Sequence, residues 1–559
     1  MIRLVTLILL LVGSLNGQST GLITGTVSDS TGAVVPSAKV SATRQGTAQK
    51  FEAAADDAGR FSFPRLPVGD YVIECRQQGF RGFVSEAIRL DADQTRQAQI
   101  VLRVGDVTES VQVTGAVGLV ETVGATIRET VDEKRISELP LNGRNPLQLQ
   151  LLVPGVVPSV GGANLAQNAT ITMNGARGTS NNYMLDGGDN NDPQISVAAL
   201  TPNPDALEEF SILTNNYSAE YGRNAGGVVN AVTKSGTNTV KGSLYEFVRN
   251  DAFDARNFFS LVQPKLRRNQ FGGSLGGPVV LPKLFNGKDR TFFFFSYEGL
   301  RESRATTNST LITPTAAERT GDFTASARRP NDPLTRAAFP GSVIPRSRQD
   351  AASVKFLELL VPLPNTPGGQ HIFNAPESTR SNQFIARGDH SLNDRQRLSV
   401  RYFDDHTRNQ LTAGLPILQS NSRFHTYNAM ANHTWTISPA LLNSVQFTYS
   451  GVNLARGPLP LLDNLNYEKL GVRAPSDTPN FPTNWRGQVN GYWNMNQDNY
   501  VTIDRGAAQI LDNVSLTRGS HIMKAGAEYR RTKSDRETAN LTDPQFTFDG
   551  GFSTNGVFT

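Results

Sequence analysis

The chain has one cysteine, Cys75, in 559 residues, so it can form no internal disulfide and no cysteine-built metal centre. Histidine is also scarce. His371, His390, His406, His425, His433 and His521 all lie beyond residue 370, and none falls in an HExxH or comparable spacing. His425 and His433 are too isolated in sequence to read as a metal pair, so neither a metal nor another cofactor is expected. Catalytic motifs are missing as well: there is no GxSxG elbow and no paired-carboxylate pattern, and no enzyme is expected. Lys plus Arg (54) and Asp plus Glu (50) nearly cancel and are scattered, which excludes a nucleic-acid footprint. Past the first dozen residues, no stretch approaches the roughly 18 apolar residues of a membrane helix. If this chain meets a membrane, it does so as strands.

The composition, 38% apolar and 19% charged with 50 glycines, is too mixed for a helical membrane protein and too apolar for a disordered one. The N-terminus places Arg3 before an apolar run from Leu4 to Val12, followed by small and polar residues. That order reads as a secretory signal peptide over residues 1–19, with export as its consequence.

Residues 20–104 show short alternating runs (Leu22 to Val27, Lys39 to Thr43, Arg60 to Phe63, Tyr71 to Cys75, Gln97 to Leu102) between turn signals. The spacing predicts a seven-strand β-sandwich. Tyr71, Ile73 and Cys75 fall on one strand face, which makes Cys75 a core residue; a reactive thiol is the alternative. The runs Gly25 to Val40 and Asp56 to Glu74 resemble the carboxypeptidase regulatory-like domain, a carbohydrate-binding-like, transthyretin-like fold that implies an accessory module rather than a peptidase.

Residues 105–238 are rich in Gly, Asn and Val and contain the turn cluster LDGGDNNDP, Leu185 to Pro193. An EF-hand reading fails, because the required glycine is misplaced and Val197 stands where the bidentate Glu belongs. A tight turn capped by Asx side chains is expected instead. From residue 239 the texture becomes long strands of period two. Val445, Phe447 and Tyr449 alternate with Ser444, Gln446, Thr448 and Ser450, and Leu398, Val400 and Tyr402 alternate with Arg397, Ser399 and Arg401. Nine strands are predicted: 241–249, 268–281, 290–304, 382–392, 395–406, 423–437, 442–454, 507–517 and 521–534. Tight connections (Asn393–Asp394, Ser438–Pro439, 518–520) alternate with long ones (250–267, 305–381, 407–422, 455–506), the asymmetry of an outer-membrane barrel.

Three stretches carry a resemblance: Pro202 to Asp251, Glu138 to Val156, and Met173 to Asp192. They are similar to the TonB-dependent outer-membrane receptors of the Oar-like type, and residues 340–365 look like an outside loop of the same family. The resemblance implies a mainly β chain: sandwich, α+β plug over 105–238, and the first part of a transmembrane barrel over 239–559. It implies transport of an external ligand across the outer membrane, energised by the periplasmic partner TonB. The ligand class stays open between carbohydrate, peptide, siderophore and cobalamin. Glu109, Ser110, Val111, Gln112, Val113 and Thr114 resemble a TonB box, suited to strand addition; an ordinary first plug strand is the alternative. Asp186, Gly187, Glu220, Tyr221, Gly222 and Arg223 match the plug motifs. Glu208, Glu209, Glu220 and Arg223 are expected to pair with wall residues such as Glu246 or Arg249. Trp485, Tyr492 and Trp493 in the 455–506 loop either stack on a sugar ring or form the loop's own core.

Nine strands fall short of a wall of about 22, and the stretch from Phe546 to Thr559 reads as the start of an outside loop. The expectation is an N-terminal fragment of a longer protein, or a truncated receptor that does not assemble. The rival function is a secreted or surface-attached carbohydrate-binding adhesin, for which Arg387-Gly388-Asp389 is weak support because it continues a strand's alternation.

Overall fold

The computed structural model describes residues 20–105, 110–112, 126–158, 171–256, 258, 263–460, 465–472, 483–519, 521–539, 543 and 545–548. Residues 1–19, the expected signal peptide, lie outside them.

The first unit is a two-sheet sandwich. Thr20–Asp29 runs antiparallel to Arg60–Pro67 and parallel to Thr95–Leu102. The facing sheet orders Gln49–Ala54, Lys39–Arg44, Gly69–Arg76, Gly82–Val84 and Ser110–Gln112, with Ile88–Leu90 also on Gly69–Arg76. Residues 20–104 thus supply eight strands rather than seven, because 82–90 contributes two three-residue strands too short to show alternation. Inward-pointing Ile23, Val27, Phe61, Tyr71, Ile73 and Ile100 close the core. Gly25 sits where the sheet is tightest, since a Cβ there would lie 1.8 Å from the Ala98 carbonyl oxygen.

Cys75 is buried in that core, and burial pushes its thiol up to about 12. The thiolate is the reactive form. Maleimide is therefore expected to leave Cys75 unmodified in the folded protein at mildly alkaline pH, and to label it fully in denaturant. Rapid labelling without denaturant would mean an open sandwich core.

The second unit is built on a five-stranded sheet ordered Ile127–Asp132, Leu207–Asn215, Val228–Thr233, Asn182–Leu185 and Gly188–Asp189. The helix Glu133–Glu138 follows the first strand, capped by the Asp132 carboxylate, which accepts from the Arg135 N–H. Phe210, Ile212, Leu185 and Met173 anchor a compact apolar core.

The third unit is one antiparallel meander, each strand paired with the next: Lys241–Asn250, Leu266–Pro278, Thr291–Ile312, Gln370–Asn393, Gln396–Thr412, Gln419–Ser438, Leu441–Pro458, Tyr500–Arg518 and His521–Ala539. We call these the first to ninth wall strands. They are the nine that the alternation predicts, but several run longer at one end. The third reaches Ile312, the fourth starts at Gln370, and the fifth and sixth extend to Thr412 and from Gln419. The expected 407–422 loop is accordingly reduced to 413–418. Every one of these extensions lies on the long-loop side, beyond the stretch where apolar and polar residues alternate regularly. The wall inverts globular packing. Ser444, Gln446, Thr448 and Ser450 are buried, whereas Val400, Tyr402, Trp435, Tyr449 and Ile510 are exposed. That inversion suits a lipid-facing exterior and a polar lumen.

The sandwich sits at the tight-turn end. Gln49 Nε2 is 3.1 Å from Ser391 Oγ, Ser62 Oγ is 3.0 Å from Thr517 Oγ1, and the Arg397 guanidinium stacks 3.9 Å from the Phe51 ring. At the other end the long connections share a core of their own, in which Leu311, Leu360, Leu415, Tyr467, Trp485 and Trp493 meet.

Candidate functional site

The site grows from the LDGGDNNDP turn. Met184 pairs with Asp189 and Leu185 with Gly188, leaving a two-residue loop of Asp186 and Gly187 with φ of 50° and 79°. Positive φ at both positions is what an Asp-Gly hairpin turn provides. Beyond it, the Asp192 carboxylate accepts from the Gln194 and Ile195 N–H groups. The turn reading is therefore right as to backbone. What the sequence does not reveal is where the three acids point.

All three point at the wall. Asp186 is fully buried, with Arg401 Nε at 2.8 Å and Arg387 Nη1 at 3.5 Å, and its two oxygens also accept from the Thr233 N–H and Oγ1. Asp192 meets Arg505 at 2.9 Å, and Asp189 meets Arg530 at 2.6 Å. The arginines come from the fourth, fifth, eighth and ninth wall strands, each inward by the strand period. Arg387, the first residue of the RGD triplet, is buried in this lock, so the triplet cannot serve cell attachment. Backbone contacts reinforce the ion pairs: the Asp189 N–H donates to Gln509 Oε1 at 3.0 Å, and Asn428 Nδ2 donates to the Asp189 carbonyl. At Gly188 a Cβ would stand 2.3 Å from Thr448 Oγ1, so the turn presses directly on the seventh strand.

Elsewhere the same unit engages the other strands. Gln383 Oε1 accepts from the Asn203 N–H and Nδ2, and Ser296 Oγ donates to Asn203 Oδ1. Arg144 pairs with Glu298 and Asp205 while its guanidinium lies 4.2 Å from the Tyr245 ring centre. Every wall strand thus offers at least one side chain to this unit. Between it and the long-loop end lies a cavity of about 300 Å³, lined by Arg144, Asn203, Gln383, Asp405, Thr407 and Asn409 among others. Its lining is mostly amide, hydroxyl and charge.

The expected pairings of Glu208, Glu209, Glu220 and Arg223 with Glu246 or Arg249 are corrected. Glu208 and Glu209 pair with Arg89 of the sandwich, and Glu209 also accepts from the Ala92 N–H. Arg223 lies 3.9 Å from Asp189 of its own unit, and Arg249 pairs with Asp254. Glu246 plays no part, since it alternates to the opposite face from Ser243 and Tyr245, which meet Asp205 and Arg144. Glu220 alone reaches the wall, bridging Arg65 of the sandwich at 2.9 Å and Lys524 of the ninth strand at 2.7 Å. Tyr221 donates to Asp93 of the sandwich, and Gly222 stands in open space. The EYGR motif is therefore a junction of all three units.

The aromatic trio resolves toward the loop's own core. Trp485 is 1% and Trp493 8% exposed, and Trp485 packs 4.6 Å from Tyr467. Tyr492 stacks edge-on to Trp493 and under the Arg328 guanidinium. The two indoles are thus unavailable to a sugar ring, because the loop buries them against its own leucines. Of the TonB-box candidate, Ser110–Gln112 forms a strand pairing in parallel with Gly82–Val84; Glu109, Val113 and Thr114 lie outside the described residues. One cluster was missed in sequence altogether: Asp404, His406 and His425 converge across two strands, a spacing that no linear motif records.

A family model described as an outer membrane beta barrel domain matches residues 232–559, more than half of the chain. The chain belongs to that family. Ahead of this barrel, residues 22–103 match the carboxypeptidase regulatory-like domain and residues 123–229 the TonB-dependent receptor plug domain. The five-stranded unit is therefore the plug, and the acidic turn is a plug-to-wall lock. The TonB-dependent transporter Oar of Myxococcus xanthus is 28% identical over 308 residues, 52% of this chain and 27% of its own length. The outer membrane transporter YddB from Escherichia coli is similar with a TM-score of 0.48 and 11% identity, over 77% of this chain and 51% of its own. The unliganded ferric citrate transporter FecA gives 0.37 and 10%, over 75% and 58%. The chain thus spans about a quarter of the curated relative and about half of these structures. Its domain series is a carboxypeptidase regulatory-like domain, a TonB-dependent receptor plug domain and an outer membrane beta barrel domain.

Proposed function

We propose that this chain serves plug-gated active transport of a ligand across the outer membrane, energised from the periplasm by TonB. The observation that carries the reading is the lock of Asp186, Asp189 and Asp192 on Arg387, Arg401, Arg505 and Arg530. A plug that must move cannot be held by apolar burial alone, since exposing that surface has no compensation in a wet lumen. Buried ion pairs are different: breaking one is costly, yet each charge regains water once the plug shifts. The lock is firm at rest and resolvable under load.

The pull enters, on this reading, through residues 109–114. Ser110–Gln112 occupies the end of its sheet, with one hydrogen-bonding edge unpaired among the described residues. An extended TonB segment can add there as a further strand. The polar cavity above the plug supports a ligand rich in hydrogen-bonding groups, such as a carbohydrate or peptide, over an apolar one.

A cysteine placed at Val111 tests the partner. With Cys75 inert, it is expected to form a disulfide adduct with a TonB carrying a cysteine in its pairing segment. TonB adducts that form elsewhere on the chain, but at no position from 109 to 114, would reject the assignment.

A further inference from the structure

The outward face of the wall carries a cluster that the transport reading does not use. On the fifth wall strand, Asp405 lines the plug-side cavity, so Tyr402, Asp404 and His406 share the opposite, outward face. Across to the sixth strand, Asp404 stands opposite Tyr427 and His406 opposite His425. The two imidazoles stack with centroids 4.0 Å apart and planes within 8°. Both turn Nε2 to the same carboxylate: His406 Nε2 is 3.0 Å from Asp404 Oδ2, and His425 Nε2 is 2.9 Å from Asp404 Oδ1. The Tyr402 hydroxyl donates to Oδ1 at 3.0 Å and fixes the carboxylate from behind. Asp404 is 6% exposed, while the His406 and His425 side chains are 59% and 36% exposed.

We propose that Asp404, His406 and His425 form a binding site for a divalent cation of the zinc class. Two imidazole nitrogens and one carboxylate oxygen, all within 4.8 Å, are the ligand types that zinc and its borderline neighbours take, and two imidazoles disfavour magnesium and calcium. Ligand atoms of a tetrahedral zinc stand roughly 3.3 Å apart, given bonds of about 2.0–2.1 Å. The observed N–O separations of 2.9 and 3.0 Å lie near that spacing, and the stacked rings must tilt apart for both Nε2 atoms to face one ion. For Nε2 to ligate, each neutral imidazole carries its one proton on Nδ1. All three residues sit on paired strands, so the ligands are brought together before the ion arrives. Tyr402 is the supporting partner that orients the carboxylate. The cluster lies just to the long-loop side of the row Tyr402, Tyr427 and Tyr449, with the last two rings 5.8 Å apart. Aromatic rows mark the membrane interface, so the remaining coordination positions face the outer headgroup layer and its water.

The test is a calorimetric titration of Zn²⁺ into the untagged full chain extracted from outer membranes in detergent. One zinc per chain is expected. His406→Ala and His425→Ala should each weaken binding at least about tenfold, and Tyr402→Phe by up to about tenfold. His433→Ala, in the same strand and on the same face but nearer the tight-turn end, should leave affinity unchanged, and excess Mg²⁺ should not compete. If an alanine variant loses its β-sheet circular dichroism, His406→Gln and His425→Gln replace it with the same expected loss. A triad that is only hydrogen-bonded would bind no zinc in the wild type. That result, or equal binding by the His406 and His425 variants, overturns the proposal.

Discussion

Asp186→Ala is expected to unseat the plug while leaving the wall folded. The substitution leaves Arg401 buried without an ion-pair partner among the described residues and Arg387 with Asp389 alone, their side chains 0% and 3% exposed. Removing one partner from a buried ion pair costs about 3–5 kcal/mol, because the orphaned charge keeps its desolvation penalty. Thr233 loses two bonds to the same carboxylate in addition. If the loss falls on plug seating, the plug opens roughly 10²- to 10⁴-fold more often, at about 1.4 kcal/mol per tenfold. Hydrogen exchange reads this directly: amides of Val228–Thr233 and Asn182–Leu185 should lose protection, while those of the wall strands keep theirs. Unchanged exchange in the plug would show that the ion pairs do not hold it. Asp186→Asn should fall between the two, since it keeps hydrogen-bonding capacity but not charge.

Trp485→Ala is the second large effect. The indole is buried among Tyr467, Phe356 and the leucines of three different connections. Truncating a buried tryptophan costs about 3–5 kcal/mol, and this small core has little else to hold it. Segments 313–369 and 459–499 should become sensitive to protease added from outside, with no change in plug exchange. Were Trp485 a ligand platform instead, its loss would impair ligand capture and leave protease resistance intact.

The wall was legible because lipid on one side and a polar lumen on the other impose period two on every strand, as in Val445–Ser450. Its outer extensions were not, since residues such as 370–381 and 407–412 meet the loop core and the cavity rather than lipid, and keep no regular apolar alternation. In the sandwich, Tyr71, Ile73 and Cys75 were readable as one core face, whereas 82–90 was too short to alternate. The plug's acids show the limit most clearly. Charge identifies Glu208, Glu209 and Glu220 as paired groups, but their partners come from residues 65 and 89, and only topology brings the sandwich there. Likewise the arginines of the lock and the Asp404 cluster are assembled by strand register, which fixes neighbours that sequence distance hides. The loop tryptophans were ambiguous because a stacking platform and a small aromatic core call for the same residues.

The central claim, a plug locked inside the wall and moved by TonB, is tested most directly by a disulfide between Gly188→Cys and Thr448→Cys. A Cβ at 188 would lie within 3.1 Å of both Oγ1 and Cγ2 of Thr448, close enough for a bridge. In outer membranes the pair should oxidise readily, and in cells with energised TonB it should oxidise more slowly than in cells lacking TonB. No disulfide in the membrane would contradict the seating of the plug, and the same rate with and without TonB would contradict its movement.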